Sequence, residues 1–108
     1  MAHYMLQGSY TSDGWKTLVK NPVNRFEVVR PVIEKLGGSV EGAWFTFGDY
    51  DFVLIAKLPD DVSAAAFSLA ASAGGAVKVS KTTTLLTAAE GVAAMKKAGG
   101  SGYQPPGK

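Results

Sequence analysis

Thr46-Phe47-Gly48-Asp49-Tyr50-Asp51-Phe52-Val53-Leu54-Ile55-Ala56-Lys57-Leu58-Pro59-Asp60-Asp61 is the stretch that decides the fold. It reads as the end of one strand, a tight turn, a second strand and the start of a helix. Gly48-Asp49 is a Gly-x pair suited to a primed hairpin turn. Tyr50 to Leu58 follows as a strand, apolar from Phe52 through Ala56, the pattern of a central strand covered on both faces. Pro59 closes it. Asp60 and Asp61 then put carboxylates at the positive end of the next helix.

Upstream, Val40 to Phe47 is the partner strand, with Val40, Gly42, Trp44 and Thr46 expected on one face and Glu41, Ala43, Phe45 and Phe47 on the other. Before it, Phe26, Val29, Ile33 and Leu36 recur at helical spacing. Asn21-Pro22 is expected to start that helix, Pro31 to kink it, and Gly37-Gly38 to end it. A short helix over 15–20 precedes it, behind the turn and cap residues of 11–14. The first strand, Tyr4 to Tyr10, alternates Tyr4, Leu6, Gly8 and Tyr10 against Met5, Gln7 and Ser9.

Downstream, Val62, Ala65, Ala66, Leu69, Ala70 and Ala73 predict the buried stripe of an alanine-rich helix, stopped by Gly74-Gly75. Val77 to Leu86 is a fourth strand with one polar face, and Thr87-Ala88-Ala89-Glu90 is a capping box opening a last helix to about Ala98. The domain is therefore expected over residues 1–98, with 99–108 a flexible Gly/Pro-rich tail.

The order is βαββαβ with a C-terminal helix. This is the ferredoxin-like plan, an α+β fold with a four-stranded antiparallel sheet and helices on one face. Several strands carry large apolar residues on both faces, so the bare face needs a cover. A second copy is the most economical one, and two such sheets enclose a dimeric α+β barrel.

Composition narrows the function classes. The 108 residues suit one domain, and 46% hydrophobic content is ordinary for a soluble chain. A net charge of +2 selects neither nucleic acid nor a membrane surface. The central strand carries Val53-Leu54-Ile55 in place of the basic and aromatic residues of an RNA-recognition sheet. With no cysteine, disulfides and thiolate chemistry are excluded, which fits a cytoplasmic setting. No apolar run nears the ~20 residues of a membrane span, and residues 1–7 lack the pattern of a signal peptide.

Gly48-Asp49-Tyr50-Asp51 resembles the turn that names the GYD family. Tyr10-Thr11 before Gly14, Asn21-Pro22 ahead of Arg25, Leu36-Gly37-Gly38 and Pro59-Asp60-Asp61 extend the resemblance over roughly residues 4 to 95. It implies kinship with the dimeric α+β barrel group, which includes small-molecule monooxygenases, muconolactone isomerase-like enzymes, haem peroxidases and stress-response proteins. The haem ligand of those peroxidases is a histidine on a later element. Here His3 is the only histidine, so no cofactor is expected and no metal-ligand spacing exists.

Two groups of side chains are candidates for chemistry. Asp49, Tyr50 and Asp51 put two carboxylates beside a phenol, which can act as general acid and base at a cavity mouth. The same residues can instead fill turn positions and bond nearby backbone. Arg25, with Tyr10, Trp15 and Trp44, can form a ligand site: a guanidinium for an anion and aromatic walls for an apolar body. Alternatively, Arg25 pairs with Asp49 or Asp51, and the aromatics fill the core and the dimer interface.

Three functions stay open: a homo-oligomeric small-molecule-binding module, a cofactor-independent monooxygenase or isomerase acting on a small organic substrate, and an oligomeric interaction protein without a small-molecule site. The polar residues Gln7, Ser9, Lys81 and Thr83 bear on the choice, because they can line a cavity between two sheets.

Overall fold

The computed structural model describes residues 1–107. Strand β1 (Ala2–Tyr10) leads into helices α1 (Ser12–Lys20) and α2 (Arg25–Lys35). Strands β2 (Ser39–Phe45) and β3 (Phe52–Leu58) follow, then α3 (Asp61–Ala73), β4 (Val77–Leu85) and α4 (Ala88–Gly99). The strands form one antiparallel sheet in the order β2-β3-β1-β4, the arrangement expected of the ferredoxin-like plan.

One face of this sheet carries the core. Tyr4 and Leu6 of β1 and Leu54, Ala56 and Leu58 of β3 pack with Ile33 of α2 and with Ala64 and Phe67 of α3. Phe26, Val29 and Leu36 border that cluster, as the helical spacing of α2 predicts. Three caps match their sequence signals: Thr11 accepts from the Gly14 amide, Asp60 from that of Ser63, and Thr87 with Glu90 completes a capping box. Gly37 has a φ of +92°, the left-handed geometry that ends α2. Gly38 packs so close to the Lys57 carbonyl that a Cβ there would collide with backbone.

Four expectations need correction. Helix α2 starts at Arg25, because the Asn24 side chain, not that of Asn21, accepts the first free amide, from Phe26 at 3.1 Å. Asn21 instead caps the end of α1.

The β2–β3 connection is also wider than a two-residue turn. Phe45 pairs with Phe52, and the Thr46 amide donates to the Asp51 carbonyl at 2.8 Å. The loop between them is held by the Thr46 hydroxyl, which donates to the Tyr50 carbonyl at 2.6 Å.

A bulge at Glu41 then breaks the alternation of β2, since Val40 pairs with Ala56 but Gly42 with Ile55. Val40, Ala43 and Phe45 therefore face the helices, while Gly42 and Trp44 face away. The Trp44 ring lies over Gly42, filling the space of a missing side chain.

Finally, α3 buries Ala64 and Phe67 while leaving Val62 and Leu69 exposed. An almost uniformly apolar helix has no polar stripe to set its phase, and the bulkiest side chain decided it.

No helix covers the other sheet face, and only its Ser9 end is buried, under the loop that follows β2. Register puts His3, Met5, Gln7 and Ser9 of β1, Val53, Ile55 and Lys57 of β3, Val79, Lys81, Thr83 and Leu85 of β4, and Trp44 on it. Gln7 lies opposite Lys81, and with His3, Ser9, Lys57 and Thr83 these polar residues share the face with Met5, Trp44, Val53, Ile55, Val79 and Leu85. Helix α4 buries none of its residues, and Val92 and Met95 stand exposed on it.

Tyr4 pins α3 to the sheet. Its hydroxyl donates to Asp61 Oδ1 at 2.6 Å. That hydrogen bond to a carboxylate, then burial, pushes the phenol from 10 up to about 12. A raised folded value means the stabilisation is complete below about pH 10 and is lost as pH rises through about 12. In an ultraviolet titration Tyr4 should ionise last of the four tyrosines, and Asp61→Ala should return it toward about 10.

Candidate functional site

Asp51 leaves the strand alternation and becomes a junction. Its amide donates to the Gly8 carbonyl at 2.8 Å. Its Oδ2 accepts both the Tyr10 amide at 2.9 Å and the Trp15 indole N–H at 3.1 Å. The Tyr10 ring meets Trp15 edge-on at 5.0 Å and Phe52 at 5.4 Å. One carboxylate oxygen thus ties the end of β1, the start of α1 and the GYD turn into a single unit. Asp49 contributes its backbone carbonyl to the Ser9 hydroxyl at 3.2 Å, and its side chain is exposed.

The expected ion pair of Arg25 with Asp49 or Asp51 does not form among the described residues. The ion pairs among the described residues are Arg30–Glu27 and Lys57–Glu41, each at 3.7 Å, and neither includes Arg25. Arg25 is exposed, at the mouth of a two-part cleft between α1, α2 and α3. The outer part, about 450 Å³, is bordered by Asp13, Thr17 and Asn21 of the α1 region and by Gly74-Gly75. The inner slot, about 140 Å³, is walled by Phe26, Val29, Phe52, Leu54, Phe67 and Ala71. Tyr10 and Arg25 line both parts. Burial raises the Tyr10 phenol, and the nearby Arg25 charge opposes that rise.

The four expected ligand residues do not share one site. Arg25 and Tyr10 meet at the cleft. Trp15 gives its N–H to Asp51 and turns its ring to a separate apolar groove of about 510 Å³ with Leu18, Val19, Pro22, Val23, Phe45 and Phe47. Trp44 is on the opposite sheet face. The reading from sequence missed Phe52, Phe67 and Ala71 as cleft walls. Their apolar character was legible, but the gap between α2 and α3 is a product of packing.

Comparison with known proteins bears on the fold and the family. The crystal structure of MtbAldR superposes with a TM-score of 0.60 at 16% identity, over 80% of this chain and 53% of that one. This chain therefore spans about half the length of that protein. The crystal structure of FFRP-DM1 gives a TM-score of 0.55 at 10% identity, over 80% of this chain and all of that one. At such identities the likeness is one of fold. A Thermus thermophilus protein named glutamine synthetase and cystathionine beta-lyase binding protein is 32% identical over 78 residues, 72% of this chain and 82% of the relative. The GYD domain profile matches residues 4–95, from the first strand through the Asp51 junction and the cleft into the last helix, and the chain belongs to that family.

Proposed function

We propose that this protein is a homo-oligomeric binding module. Two copies pair through their bare sheet faces into a dimeric α+β barrel, and each copy takes a small organic molecule into the cleft at Arg25. The observation that carries this reading is the uncovered sheet face, where Met5, Val53, Ile55, Trp44 and Leu85 form one surface around the Gln7–Lys81 pair. Large apolar side chains gathered on an uncovered sheet face and rimmed by polar ones mark an interaction site. For Asp51 the structural role is favoured over the enzyme alternative, because one oxygen of its carboxylate accepts two N–H donors.

Native mass spectrometry tests the module, reading subunit count and retained mass together. The expected species is a dimer or a multiple of it. Ile55→Lys should give a folded monomer, since the side chain adds charge to the interface but faces solvent in one copy alone. A wild-type monomer at micromolar concentration would sink the shared barrel.

A second reading, an interaction protein docking on larger enzymes, is favoured by the name of the Thermus thermophilus relative and by the apolar groove with its fully exposed Phe47. Adding purified glutamine synthetase to the same measurement reads it out as a mixed complex.

A further inference from the structure

We infer that the cleft selects a small monocarboxylate with a single ring or branched alkyl body, held by Arg25 at the mouth and by the Phe26–Phe52–Phe67 slot within. This rests on the small-molecule reading above and names the ligand's chemistry. Size comes first. The inner slot is about 140 Å³. A protein cavity of about 150 Å³ lined by Leu, Ile and Phe stays dry and takes up benzene. Most of the walls here are of the same apolar kind, so the slot itself has room for one six-membered ring, with any polar part of the ligand left to the outer cleft.

Charge comes next. Arg25 belongs to neither ion pair and stands where the slot opens to the outer cleft. A guanidinium binds a carboxylate through two parallel hydrogen bonds. Asp13 borders the outer cleft as well, so the rim carries one cation and one carboxylate. That balance disfavours a dianion. Thr17 and Asn21 supply neutral polar groups beside them. The Tyr10 ring borders both parts, so a ligand spanning them runs along its face or edge.

Phenylacetate, 2-phenylethanol and phenyl phosphate are the probes, titrated into the wild-type protein and followed by amide NMR. Phenylacetate should perturb Phe67, Ala71, Gly74 and Ala76, and bind tighter than the other two. Arg25→Gln, on the exposed rim, should weaken phenylacetate about ten- to hundredfold and leave 2-phenylethanol unchanged. Ala71→Leu should fill the slot and abolish binding of all three while the fold persists. Equal binding of phenylacetate and 2-phenylethanol would overturn the carboxylate assignment but keep a small-molecule site. No perturbation by any probe would overturn the cleft as a site, leaving self-association to stand or fall on subunit count.

Discussion

Asp51→Ala should destabilise the fold by about 2–4 kcal/mol, while Asp51→Asn should cost less than half as much. The asymmetry follows from geometry. Both donors, the Tyr10 amide and the Trp15 indole N–H, converge on the same oxygen, Oδ2. Alanine leaves both unpaired. Leaving one buried polar group without a partner costs about 1–3 kcal/mol, and hydrogen bonds to a charged group are the stronger kind. Tyr10 is buried and Trp15 half-buried, so water replaces the carboxylate poorly. Asparagine keeps one carbonyl oxygen of the right size, able to accept both bonds, and loses only the charge. Denaturant unfolding followed by tryptophan fluorescence measures the difference, since Trp15 reports its own environment. Equal losses for the two variants would show that the negative charge, rather than the acceptor, is what Asp51 supplies.

Ile33→Ala should cost about 2–5 kcal/mol, the range for truncating a buried isoleucine. Ile33 is fully buried, and it is the one residue of α2 that is. Val28 and Val32 are exposed, and Phe26, Val29 and Leu36 only border the core. The contact of α2 with the sheet therefore centres on one side chain. Domains of this size are stable by about 5–15 kcal/mol, so the loss takes a large fraction of the total. At roughly 4–8 °C per kcal/mol the melting temperature should fall by at least 8 °C. Calorimetry of the variant checks it, and a fall below about 4 °C would mean that neighbouring side chains close the cavity. Val32→Ala, on the exposed face, should stay within about 0.5 kcal/mol of wild type.

The cleft shows where sequence reading reaches its end. Arg25 and Tyr10 were recognisable by side-chain chemistry, a guanidinium able to hold an anion and an aromatic ring able to wall a pocket. Phe52 and Phe67 were recognisable as apolar, but nothing along the chain says that a slot is left between them. Trp44 went to the wrong face because the bulge at Glu41 adds one residue, and a single residue reverses every side chain beyond it. Gly42 beside the bulge was the available signal, since an isolated glycine in a strand often marks one. In α3 the stripe of small residues fitted helical spacing as well as Ala64 and Phe67 do. An alanine-rich helix offers several equivalent phases, and only packing chooses among them.

Period and punctuation determined the order of elements in this protein. Alternation made the four strands, 3.6-residue spacing made α2, and Thr11, Asp60, Thr87, Gly37 and Gly75 set where helices begin and end. These are interactions between neighbours in the chain, and the chain itself carries them. Tertiary structure alone decided the bulge at Glu41, the burial phase of α3, the cleft at Arg25 and the partners of Asp51. The Asp51 carboxylate meets Trp15 across 36 positions and Tyr10 across 41. Which donors reach it depends on how β1, α1 and the GYD turn are brought to one end of the sheet. Such contacts are set by strand register and by the packing of α1 against that end, which no local pattern of residue types encodes.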